Sequence, residues 1–164
     1  MESTSDVRKP FLEEARSLLT EDFLRKIRKC LEVLEEDDLW WRAHENNNSV
    51  GNLILHLCGN VRQWIIASLG REPDLRQRSK EFSERTHISK VDLLAKLEKT
   101  LQEADRVLAS FDLDELLAAR TIQGFQTTAL QAVFHVVEHF SFHTGQIVYI
   151  TKLRRAMDLK FYNL

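Results

Sequence analysis

The chain is poor in the residues that punctuate β-structure, with 5 glycines and 2 prolines in 164 residues. An all-β fold needs a turn signal roughly every 8–12 residues, so this scarcity argues for long helices. Cysteine is equally scarce. Cys30 and Cys58 stand apart, without a CxxC or a Cys/His knuckle, which excludes a disulfide framework and a cysteine-built zinc site. Both fall within helical patterns and read as reduced, buried small hydrophobes. No apolar run approaches the roughly 20 residues that span a bilayer. The N-terminal stretch, residues 1–9, is polar and charged where a secretory signal would be apolar. The cytoplasm is therefore the expected location, with no membrane partner. The formal net charge is -2, and no basic run interleaves with aromatics. Nucleic acid is given no electrostatic handhold.

What is present is a folding composition: 43% of residues are hydrophobic and 29% charged, which excludes disorder. The length predicts one domain over residues 1–164. Four segments carry apolar residues at three- and four-residue steps. The first covers residues 9–36, through Leu12, Ala15, Leu19, Phe23, Ile27, Cys30 and Leu34. The second is capped by Asn48 or Ser49, carries Leu53, Ile54, Leu57, Val61 and Trp64, and stops at Gly70. A polar connection over residues 71–86 follows, long enough to cross the length of a bundle. Ser89 caps the third segment, which runs to about residue 110 with Val91, Leu93, Leu97, Leu101 and Leu108 on its apolar side. A short helical turn over residues 114–120 and an extended piece containing Gly124 lead to Thr127 or Thr128, the cap of a last helix ending near residue 156. The fold class expected is all-α, a four-helix bundle with a long crossover connection. The apolar tail, with Leu159, Phe161, Tyr162 and Leu164, is expected to dock onto its own domain or onto a partner subunit.

Six histidines are unevenly placed. His44 and His87 lie in polar surroundings near helix ends and read as solvated. His56 sits in the most apolar part of the second helix. His135, His139 and His143 follow one another at four-residue steps in the last. Residues four apart on a helix stack one above the other, so two imidazoles there can converge on an ion about 2.0–2.1 Å from each ring nitrogen. Buried imidazoles must satisfy their nitrogens, and a cluster does so by binding metal or by finding carboxylates. Spacing supports a site built from His56 and a pair from the three-histidine ladder, without choosing the pair.

The string His139-Phe140-Ser141-Phe142-His143-Thr144-Gly145-Gln146-Ile147, an HxxxHxGQI pattern, together with His56 in an NLxxHL context, resembles the DinB-like (YfiT-like) superfamily. The likeness spans nearly the whole chain. The segments 76–82 and 158–164 look like those of an uncharacterised branch of it. The resemblance implies an up-down-down-up bundle, often dimeric, with a metal held by His56, His139 and His143. His135 lies outside the matched motif and is left as an alternative ligand or as a residue orienting one. Relatives often carry arginine where this chain has Thr144, which puts a surface role of that arginine in doubt here.

Three neutral imidazoles suit Zn²⁺ first, then Ni²⁺ or Fe²⁺, and leave a position for a small-molecule oxygen or thiol. The resemblance points to a metal-dependent transferase or hydrolase working with a low-molecular-weight thiol. The alternative is a non-catalytic metal-binding or stress-response module. Glu138 is the nearest carboxylate in sequence, but it is turned about 100° from His139 around the helix. Asn52, Asn60, Gln63 and Gln146 are candidate polar neighbours of the site, and Trp40, Trp41 and Trp64 candidate walls. Since imidazole ligates only when neutral, metal is expected to leave below about pH 6.

Overall fold

The structure, a computed structural model, describes residues 6–85 and 88–162. The expectations for His87, for residues 1–5 and for the tail residues Asn163 and Leu164 lie outside these. The fold is mostly helical, with one small two-stranded sheet. Helix α1 covers residues 8–33. It is built from Arg8–Ser17, a π-helical turn Leu18–Phe23, and Leu24–Val33. A four-residue helix, α2 (Glu36–Leu39), follows, held by a reciprocal cap between Glu35 and Asp38. Helix α3 covers residues 50–67, as Val50–Val61 and a second π-helical turn, Arg62–Ala67. The short α4 (Arg78–Ser83), the long α5 (Lys90–Ala109) and α6 (Ala129–Arg155) complete the helices.

The caps explain where the helices begin. Ser49 accepts from the Asn52 amide while Asn52 reaches back to the Ser49 backbone, a capping box that satisfies two otherwise unpaired donors. Ser89 accepts from the Asp92 amide at the start of α5, and Thr128 forms a box with Gln131 at the start of α6. At its other end α6 stops on Ala156, which takes the left-handed conformation with φ 48°.

One apolar core cluster draws on all four long helices. Helix α3 is its centre: of the residues from Val50 to Val61, only Gly59 is not buried. The π-helical turns face α6 on either side. Phe23 in the first stacks on Phe140 at 5.8 Å between ring centroids, and Trp64 in the second lies 4.3 Å from the His135 ring. Such turns widen the helix locally and recur at functional sites. Cys30 and Cys58 are buried and free. Burial pushes the Cys58 thiol up to about 11, against a hydrogen bond with Thr100, and so keeps it from acting as a thiolate. Leu159 is 2% exposed, so this residue of the tail packs on its own domain, while Tyr162 is 66% exposed.

Two sequence expectations need correction, and one helix adds to them. Val91, placed on the apolar side of α5, is 72% exposed. The polar connection that begins at Arg71 carries a short helix that the sequence pattern did not signal, α4, which packs along α3. The helical turn expected over residues 114–120 reaches only Leu113–Glu115, and strands β1 (Ala119–Ile122) and β2 (Phe125–Thr128) follow as an antiparallel hairpin. Its two central residues, Gln123 and Gly124, have φ of 54° and 80°. Those positive values are the turn geometry that matches the twist of paired strands and closes a two-residue hairpin. The small sheet is the departure from an all-α fold.

A Cβ built on Gly124 meets no atom within 4 Å, so a substitution there probes the backbone alone. Gly124→Ala is expected to cost about 1 kcal/mol of stability, read as a lower denaturation midpoint with unchanged helical circular dichroism.

Candidate metal centre

His56 is brought to the core by α3, and α6 presents His139 and His143 one turn apart on the side facing it. One nitrogen from each of the three lies within 4.8 Å of the others. The ring centroids are 4.4 to 5.0 Å apart. His56 is 4% exposed and His143 9%, while His139 is half-buried. His135 is not part of this cluster. Its Nε2 lies 3.3 Å from the Asn60 amide nitrogen, and its ring packs on Trp64. His44 is exposed, as its polar surroundings predict.

The outer nitrogens of two of these rings are already satisfied. His56 Nδ1 donates to Glu81 Oε2 at 2.9 Å, and His143 Nδ1 donates to the Gln146 side-chain oxygen at 2.7 Å. Each bond leaves the Nε2 lone pair of its ring directed away from its partner, the tautomer that a metal-ligating histidine requires. His139 Nε2 sits 2.9 Å from His56 Nε2. With the His56 proton committed to Glu81, His56 Nε2 accepts and His139 Nε2 donates. Moving that one proton to Nδ1 of His139 would turn all three Nε2 atoms into donors of lone pairs. The residues present therefore fit a divalent ion.

Glu81, bonded to His56, is the neighbour of the histidine cluster that the sequence did not reveal. It comes from α4, inside the charged connection, and no spacing links it to a histidine. Arg76 holds it from the other side, donating from Nε to Oε1 at 2.8 Å and from Nη2 to Oε2 at 2.9 Å. The Arg76 side chain is only 4% exposed and that of Glu81 10%. Gln63 in turn accepts from Arg76 Nη1 at 2.9 Å, and Asn52 anchors α4 by donating to the Glu81 backbone carbonyl at 2.9 Å. Gly59 makes the arrangement sterically possible: a Cβ there would run into the Glu81 carboxylate.

The other polar neighbours read from sequence also find partners, Asn60 at His135 and Gln146 at His143. Trp64 packs on His135. Trp40 packs in the core and donates to the Ile88 carbonyl, and Trp41 lines a cleft beside Gln146. Glu138 is exposed. Thr144 is 3% exposed, an interior position.

Burial, then repulsion from His143, His56 and His135, pushes His139 down to about 3. Burial alone would raise the Glu81 carboxyl, but the hydrogen bonds from His56 and Arg76 reverse this and hold it below its ordinary value. Both shifts act in the same direction on stability. Between about pH 6.5 and 3 the unfolded chain protonates His139 and the folded chain does not, so acid favours unfolding across that window. Protonation of Glu81 removes further stability once the pH falls below the ordinary carboxylate range. The melting temperature of metal-free protein is expected to fall steadily from pH 6.5 downward and more steeply below 4.5; a flat profile between pH 6.5 and 5 would contradict this.

Removing one partner of a buried pair leaves the other charge stranded, at a cost of about 3–5 kcal/mol. Glu81→Ala should reach that range, and Glu81→Ala with Arg76→Met should recover a large part of it. Chemical denaturation of the two variants checks the coupling.

No curated protein matches the chain. Residues 6–163 match a family whose description is a protein of unknown function, DUF1572. The match covers nearly the whole sequence, and the chain belongs to that family.

Proposed function

We propose that this protein is a DinB-like four-helix bundle, a single domain of crossover topology, that holds one divalent transition metal on His56, His139 and His143. The observation that carries the reading is the convergence of three imidazole nitrogens within 4.8 Å, two of them with their outer nitrogens already bonded to Glu81 and Gln146. Nitrogen donors favour zinc, then nickel or iron. A bound ion would supply a Lewis acid for a small-molecule thiol or oxygen. The chain's own residues supply the rest. Glu81 fixes the His56 tautomer, Arg76 keeps Glu81 ionised and oriented, and α4 covers the ring on that side through Phe82, 4.7 Å from His56 between centroids.

The reaction fitting this reading is a metal-dependent transfer to or from a low-molecular-weight thiol, or a hydrolysis, in a cytoplasmic homodimer. No described helix is long and apolar enough to cross a membrane, and two buried free thiols suit a reducing compartment. The non-catalytic reading, a metal-binding or stress-response module, is favoured by one observation. Glu81, the carboxylate bonded to the cluster, is fully engaged by His56 and Arg76 and is not free to act as a general base. Turnover of thiol acceptors above a metal-free control separates the two.

Untagged protein is expected to carry one metal per chain by elemental analysis, with a melting temperature raised by Zn²⁺ or Ni²⁺. His139→Ala should lose it and His135→Ala should keep it. Glu81→Gln should weaken binding about 10–100-fold. Absence of metal together with no thermal shift would overturn the proposal.

A further inference from the structure

The Gly145-Gln146 part of the histidine motif has a second use. Phe142, Gly145, Gln146, Tyr149 and Leu153 share one face of α6 at steps of three and four residues. With the segment around Trp41, Arg42 and the three asparagines Asn46, Asn47 and Asn48, this face encloses a cleft of about 500 Å³, floored by Leu53. That size lies within the range of small-molecule sites, roughly 300–1,000 Å³.

Three features of the cleft point to a ligand. A glycine inside a long helix weakens it relative to alanine. Close packing within the chain would explain one, as it does Gly51, where a Cβ would stand 2.8 Å from the Trp40 ring. At Gly145 a Cβ meets nothing within 4 Å. The space its missing side chain leaves belongs to the cleft. Second, Phe142, Tyr149 and Leu153 are 59%, 69% and 56% exposed, an apolar wall that the described chain leaves uncovered. Third, the one charged residue lining the cleft is Arg42, half-buried and without an ion pair or side-chain hydrogen bond among the described residues. A positive charge with free donors and amide side chains beside it, next to an apolar wall, is complementary to a carboxylate on an apolar body.

We propose that this cleft binds a small amphipathic carboxylate, its acid group on Arg42 and its apolar body along Phe142, Tyr149 and Leu153 over Gly145. Gln146 lines the cleft and bonds His143 Nδ1, and Phe142 packs edge-on to the His143 ring at 5.1 Å between centroids, so the ligand sits beside the histidine cluster. As a binding site the cleft stands alone; as the substrate site of the metal centre it rests on the reading above.

The probe is 4-phenylbutyrate, compared with its neutral amide by titration calorimetry on the full chain, both metal-free and loaded with zinc. Saturable one-to-one binding with a Kd below about 1 mM, at least tenfold tighter for the acid than for the amide, is expected. Arg42→Gln should remove that preference. Gly145→Leu should abolish binding while keeping or raising the melting temperature, because the new side chain enters the cleft and improves helix propensity. No saturation, equal binding of acid and amide, or an unchanged Arg42→Gln variant each overturns the proposal. So does sedimentation showing that Gly145→Leu splits a dimer, which would make the face an interface between copies. Carboxylate binding to protein that never takes up metal upholds the cleft and removes the metal reading. Metal uptake without carboxylate binding does the reverse.

Discussion

The structure depends on satisfying polar nitrogen in a dry place. Helix α3 is buried around almost its whole circumference, yet it carries an imidazole at its middle. Every arrangement nearby answers that demand. Glu81 accepts the His56 proton, Arg76 neutralises Glu81, Gln63 receives Arg76, and Asn52 fixes the backbone that delivers Glu81. A chain of polar groups in low dielectric is stable only when each member is paired. It also explains the short helix α4, whose first and last residues are exposed while Glu81 is buried.

The same constraint separates two kinds of histidine on α6. His139 and His143 meet His56 across the core, whereas His135, one turn earlier, meets Asn60 and the Trp64 ring in the π-helical turn of α3. The ladder is regular in sequence, but its partners are not. The helix opposite changes from regular α to π geometry after Val61, and the side chain that faces the first rung changes with it.

The long helices and their caps were legible because burial imposes period on sequence: Leu19, Ile27, Leu53, Leu97 and Phe140, all apolar at helical spacing, are all at most 2% exposed. The histidine cluster was legible for a related reason, since ring stacking at four-residue steps is a local property of a helix. What escaped depends on long-range pairing or on backbone conformation. Glu81 lies 25 residues from His56 among many other charges, and nothing local distinguishes an inward carboxylate from a solvated one. The hairpin rests on a Gln-Gly pair in which glutamine adopts a conformation usually left to asparagine or glycine. The exposed Val91 sits in the first turn of α5, where apolar spacing continues past the edge of the core.

His56 and His139 touch across a separation of 83 residues. No fragment ending within the first two-thirds of the sequence can bring them together. The two halves of the His56 environment thus differ in reach along the chain: Glu81 and Arg76 lie 25 and 20 residues from it, His139 lies 83. The imidazole is tied by Nδ1 to its own neighbourhood and by Nε2 to the far end of the sequence, so one ring joins a local contact to a long-range one in the centre.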